Sequence, residues 1–498
     1  MHPTVPAQVS TGVAGLNRIL HGGLPVHEMY LVTGEAGTGK TTLALQFMRA
    51  GLNGGQRVLY LSLSQSAEAL RKIAASHGWS LEGVTLEDWS TFGPTEQAPG
   101  QEAVFRNVAL ELRDVISQLF ALIERVQPER LVVDSLLQLR PLASNVPDFQ
   151  RQLFALGQHL ASKRCTTLLI DAHTGEPTSQ DIQDLTHGVL RLERWAPEFG
   201  NVRRRLLVLK MRGLAVHGGY HHFTVGTGGL EVYPRLAVGT RRDHLGSTPM
   251  ASGLSALDTL LGGGLEAGTA VLLLGATGTG KTSLATLYVH AAAQQGKPGA
   301  VFIFEERLET FFMRAASLNL DLRPFVDKGL VTVQQINAGD LSAGEFSDVV
   351  RRSVDEGGAR VVLIDSLSGY FHAMPQEQQL LTQMHELLNF LAANGVLSLL
   401  VAGQHGLAGP ELTGPLDISY LCDTLLLLRH FDAGGTIRKA VAVTKKRTGP
   451  HEHTIRELYL EPGGIRVGEP LRQLEGLLTG APHVLGAGLT GDAWDGER

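Results

Sequence analysis

The sequence has two cysteines in 498 residues, Cys165 and Cys422, each inside an apolar stretch. Two isolated thiols build neither a disulfide framework nor a zinc cluster, so they read as small core residues in a reducing compartment. No uncharged apolar run approaches the roughly 18 residues that a membrane span needs. The first residues, MHPTVPAQVS, lack the apolar core of a signal peptide. The expectation is therefore a cytoplasmic protein without a membrane partner. A basic excess is also missing: 43 Lys and Arg face 49 Asp and Glu, a net charge of −6. That argues against a nucleic-acid partner, whose binding domains usually carry a basic footprint. The 43% hydrophobic and 18% charged composition is that of an ordinary globular chain, able to bury a core without staples. The length suits two large domains or three small ones.

A duplication organises the chain. Residues 10–42 read STGVAGLNRILHGGLPVHEMYLVTGEAGTGKTT, and residues 252–283 read SGLSALDTLLGGGLEAGTAVLLLGATGTGKTS. Gly12 matches Gly253 and Lys40 matches Lys281 at a constant offset of 241 residues. Such a period is domain-sized, too long for a solenoid repeat. Each copy runs through a helical segment, a Gly-rich turn, an apolar strand, a second Gly-rich loop opening a helix, and further strands such as LVVD and VVLID. Strands alternating with helices predict an α/β fold with a mostly parallel sheet. The expected domains are 1–240 and 241–480, joined through the polar segment RLAVGTRRDHLGSTPMAS at 235–252, with a weakly ordered Gly/Asp/Ala-rich tail over 481–498.

Both copies contain GxxxxGK[ST]: Gly34 to Thr41, with Gly37, Thr38, Gly39 and Lys40, and Gly275 to Thr282, with Gly278, Thr279, Gly280 and Lys281. Glycines let backbone N–H groups wrap a phosphate, and the following helix, entered through Thr42 or Ser283, points its positive end at the same anion. Lys40 and Lys281 would reach the β- and γ-phosphates of ATP, and the Thr41 and Thr282 hydroxyls would ligate Mg²⁺. Both loops sit between a strand and a helix, the context that makes this motif specific. Asp134 and Asp365 end the strands LVVD and VVLID, where a carboxylate can hold the hydrated Mg²⁺.

These tandem SGxxxLDxxLxGGL…GxxGTGKT units, with the VxxDSL strands, resemble the KaiC-like family of RecA-fold ATPases over about residues 8–480. The resemblance implies two tandem RecA-like P-loop domains. It also implies a homo-oligomer, a hexameric ring with ATP between neighbouring subunits. In this family the water-preparing carboxylates end the strand after the P-loop helix. That strand reads VFIFEER in the second copy, giving Glu305 and Glu306, but LYLSLSQ in the first, giving Ser64 and Gln65. A carboxylate can accept a proton and a Ser–Gln pair cannot, so the first copy is expected to bind ATP and hydrolyse it slowly, if at all. Glu68 is the one nearby substitute. The resemblance further assigns Lys210 and Arg212, and Lys445 and Arg447, to the γ-phosphate held by the adjacent subunit. The second of these motifs departs from the pattern, with Thr448 in place of Gly. The family's second domain can phosphorylate an adjacent Ser and Thr. Here those positions are Ser419 and Tyr420, so Ser419 alone is a candidate phosphoacceptor.

The expected function is an ATP-driven oligomeric switch acting on an unknown protein partner. The rivals are a DNA-dependent ATPase like RecA or RadA and a non-catalytic nucleotide-sensing scaffold. The histidines His217, His221 and His222, and the pair His451 and His453, read as surface turns rather than metal ligands.

Overall fold

A computed structural model describes residues 7–90, 111–172, 178–197, 200–236, 249–337, 339–373, 380–403, 419–433, 435–476 and 483–484. The chain divides into two compact units, Met1–Arg235 and Leu236–Arg498. Most of the polar segment expected to join them, and most of the tail from 481, lies outside the described residues. Within the tail, His483–Val484 pairs antiparallel with Leu474–Glu475.

Each unit is built on one nine-stranded sheet. In the first, six parallel strands run in the order Gly188–Trp195, Met29–Gly34, Thr166–Ala172, Arg130–Asp134, Val58–Ser62 and Thr85–Asp88. The second unit repeats this order with Thr424–Ala433, Ala270–Gly275, Leu397–Gly403, Val361–Asp365, Gly299–Ile303 and Val331–Gln335. Three antiparallel strands extend each sheet beyond Gly188–Trp195 or Thr424–Ala433. The expected α/β class and mostly parallel sheets are present, and the hairpin extensions add to what periodicity predicts.

The central strands are apolar throughout because helices cover both faces. MYLVTG and AVLLLG are buried at every position. Alternate residues feed opposite cores: Tyr30, Val32, Tyr60 and Val132 pack with the helix Lys40–Asn53, and Leu31, Leu59, Leu61 and Val133 pack with the helices Leu112–Val126 and Val146–Ser162. The same two-period division recurs around Val271 and Leu272.

The histidine cluster departs from expectation. His221 and His222 are buried on the strand Tyr220–Gly226 rather than exposed in a turn. His221 Nε2 meets the His217 carbonyl at 2.9 Å, so the turn at Gly218–Gly219 folds the first histidine back onto the second. Burial, then Arg203, Arg205 and His221, push the His222 imidazole down to about 4.

Candidate nucleotide sites

Each phosphate loop leaves its strand at the carboxyl edge of the sheet and enters its helix through a left-handed glycine. Gly39 has φ 102° and Gly280 φ 100°, a conformation that side chains disfavour. A Cβ on Gly280 would also lie 2.7 Å from Leu460 Cδ1. Thr38 and Thr279 are buried, and their hydroxyls donate back to the loop carbonyls of Glu35 and Ala276, both at 2.9 Å. Gly34, Gly37, Gly275 and Gly278 complete the two curves. Lys40 Nζ donates to the Gly34 and Glu35 carbonyls at 2.7 and 2.8 Å, and Lys281 Nζ to those of Gly275 and Ala276 at 2.8 and 2.9 Å. Burial is the largest influence on both lysines and lowers their pKa. Asp134, Asp171 and Glu35 oppose it at Lys40; Asp365 and Glu305 oppose it at Lys281. Thr42 and Ser283 turn inward, and the Thr42 hydroxyl lies 3.4 Å from His77 Nε2.

The strand-end aspartates converge on the loops. Thr41 Oγ1 donates to Asp134 Oδ2 at 3.0 Å. Asp365 lies beside Thr282. Burial pushes its carboxyl up, Thr282, Arg314 and Lys281 draw it down, and Glu306 adds to the rise. Such a buried carboxylate beside a hydroxyl fits Mg²⁺, which keeps several waters and takes one or two protein oxygens together with phosphate oxygens. Thr41 with Asp134, and Thr282 with Asp365, are the residues that would hold it. Among the described residues no three His, Cys, Asp or Glu side chains gather as a protein-only metal site.

The halves differ immediately beyond the neighbouring strand. Register makes the comparison direct: Leu63 N donates to the Asp134 carbonyl at 2.6 Å, and Phe304 N to that of Asp365 at 2.7 Å. Ser64 and Gln65 therefore occupy the places of Glu305 and Glu306. Glu305 is exposed and accepts from Ser366 Oγ at 3.2 Å, next to Asp365. Glu306 is tied to Arg314 Nη1 at 2.7 Å. In the first half Ser64 faces solvent, and Gln65 Oε1 is buried without a hydrogen-bond partner among the described residues. Glu68, the nearby substitute, pairs with Lys72 on the helix surface at 2.7 Å.

The basic pairs stand away from their own loops. Lys210 is in register with Val189, which pairs with Leu31, three residues before Gly34. Lys445 is in register with Leu425, itself beside Leu272, three residues before Gly275. Both pairs thus lie toward the amino edge of the parallel strands. Lys210 Nζ and Arg212 Nη2 donate to carbonyls at the end of the helix Thr178–Leu185, those of Gln183 and Asp184, at 2.7 and 2.9 Å. Lys445 Nζ donates to the Ser419 and Cys422 carbonyls, both at 2.7 Å, and Arg447 Nη2 to that of Tyr420 at 3.1 Å. Ser419 opens the short helical turn Ser419–Leu421 at this same edge.

Two groups escape sequence reasoning. The Tyr60 hydroxyl donates to Asp134 Oδ2 at 2.6 Å, and Arg140 forms an ion pair with the buried Asp171. Tyr60 reads as a core aromatic, and only strand register places it beside Asp134.

A family model described as "ATPase: KaiC" matches this chain twice, over residues 9–237 and 250–472. The chain belongs to the KaiC family of ATPases. It is 28% identical over 488 residues to the circadian clock oscillator protein KaiC of Parathermosynechococcus lividus, covering 95% of this chain and 87% of that protein. It is 24% identical over 483 residues to the circadian clock protein KaiC3 of a Synechocystis species, covering 95% and 94%. Tandem RecA-like domains that bind ATP follow from this membership, and the DNA-dependent alternative is not favoured. No helix among the described residues is long and apolar enough to cross a membrane.

Proposed function

We propose that this KaiC-family ATPase is a cytoplasmic oligomeric switch in which the second half hydrolyses ATP and the first holds it. The observation that carries this reading is the exchange of Glu305–Glu306 for Ser64–Gln65 at one structural position. Glu305, beside Ser366 and Asp365, is the group that orients the attacking water and takes its proton. Glu306 is held by Arg314 and fixes the local charge. Bound Mg²⁺ would neutralise charge on the β- and γ-phosphates. Lys281 and the N–H groups of its loop hold those phosphates in line with the water.

Lys210–Arg212 and Lys445–Arg447 serve a nucleotide on the adjacent subunit. Their place at the edge of the sheet opposite their own loops supports this. Subunits then close into a ring, six by the family resemblance, with ATP at the interfaces. Ser419 shares that edge, so it would accept phosphate in trans, from the neighbouring subunit's ATP. A protein partner of unknown identity reads the state of the ring. The test is turnover and self-labelling with [γ-³²P]ATP, beside Ser419→Ala and Lys281→Ala. Label lost in both variants, with turnover lost only in the second, supports the reading. Label retained in Ser419→Ala removes that residue as the acceptor.

A further inference from the structure

One buried hydroxyl beside Asp134 has no counterpart at the matching position beside Asp365. Tyr60 lies on the strand Val58–Ser62, in register with Val132, two residues before Asp134. The two-residue period of a strand sends Tyr60 and Asp134 to the same face, the one covered by the helix that Lys40 opens. Tyr60 is fully buried, so its hydroxyl must find a partner inside the protein. That partner is Asp134 Oδ2, at 2.6 Å, the same oxygen that accepts from Thr41 Oγ1 at 3.0 Å. Two donors fill the accepting capacity of one carboxylate oxygen. At the matching position of the second half stands Val301, which has no polar group; it lies beside Leu363, two residues before Asp365. There the carboxylate is balanced by Thr282, Arg314 and Lys281.

We propose that Tyr60 is a positioning residue that, with Thr41, fills Asp134 Oδ2 without a cation, so that the first half retains ATP with little dependence on Mg²⁺ while the second half requires the metal. This rests on the reading of the first half as an ATP-holding site. The chemistry follows from the shared oxygen. A carboxylate already accepting from a phenol carries less charge for the water shell of a metal, and it is held in one orientation. Such a site keeps its nucleotide when free Mg²⁺ falls and keeps the subunits together. The same weakening of the metal suits a site that lacks a general base.

The test uses the full chain and a fluorescent ATP analogue, with affinity measured in Mg²⁺ and in EDTA. The Lys281→Ala protein reports the first site and the Lys40→Ala protein the second. The expected ratio of the two affinities is small for the first site, and about tenfold larger or more for the second. Tyr60→Phe, made in the Lys281→Ala protein, keeps the ring and removes only the hydroxyl. It should raise the first site's ratio several-fold, with the change appearing as tighter binding in Mg²⁺. A ratio unmoved by Tyr60→Phe overturns the role of Tyr60 and leaves the ATP-holding reading intact. If Lys281→Ala protein with Tyr60 in place binds no analogue in either buffer, the ATP-holding reading itself fails, and the inference fails with it.

Discussion

The two halves share nine strands in one order and a phosphate loop of one geometry, yet the polar groups around the loops differ. The second half gathers Glu305, Glu306, Arg314 and Asp365 around Lys281. The first gathers Tyr60, Asp134, Arg140 and Asp171 around Lys40. One set includes an exposed carboxylate, Glu305, which accepts from Ser366. In the other, Asp134 Oδ2 accepts from two hydroxyls and Asp171 pairs with Arg140. On the proposed function, the same scaffold carries one site for turnover and one for retention, which illustrates why chemistry is argued from sites rather than folds.

The largest break in symmetry is expected at the basic pairs. Arg447→Ala should lower turnover by roughly 10³-fold, the scale of losing an arginine that spreads transition-state charge. Arg212→Ala should leave turnover nearly unchanged and weaken assembly, as read by light scattering in ATP. The ion pair comes next. Arg140→Ala strands the buried Asp171 charge and should cost about 3–5 kcal/mol in thermal unfolding. Arg140→Phe with Asp171→Ala copies the second half's Phe371 and Ala402, both buried, and should cost about 1 kcal/mol or less.

Grafting sharpens the comparison from the other side. Ser64→Glu with Gln65→Glu, made in Lys281→Ala protein, should raise residual hydrolysis by about a hundredfold, the low end of the range for general-base assistance. A further difference is a pH dependence contributed by His222 of the first half. The His222 imidazole falls from 6.5 to about 4 on folding, so the unfolded chain binds its proton first. Its contribution to stability is complete above pH 6.5 and is lost as pH falls toward 4. Relative to His222→Gln, the parent protein should lose roughly 2 kcal/mol more between pH 7 and pH 5, measured by urea unfolding.

The loops, the strand-end aspartates and the Glu305–Glu306 exchange were legible in the sequence because each is a contiguous pattern on one strand or turn. The repeat made them comparable position by position. Tyr60 with Asp134 and Arg140 with Asp171 were not legible, since their partners lie 74 and 31 residues apart; strand register unites the first pair, and the short helical turn Arg140–Leu142 carries Arg140 to the second. A tyrosine in VLYLS looks like core, and by burial it is core; its hydroxyl acquires a role only from the neighbouring strand. His221 and His222 misled for the opposite reason. Beside two glycines they resemble a turn, but the turn ends before them and the strand carries both inward.

The most direct test of the division of labour is steady-state ATP turnover by the Glu305→Gln/Glu306→Gln protein against the unmodified chain. Retention in the first half and hydrolysis in the second require a fall of roughly 10²-fold or more, with ATP-dependent assembly preserved. Turnover within a few-fold of the unmodified protein would contradict the account and make the first half catalytic despite Ser64 and Gln65.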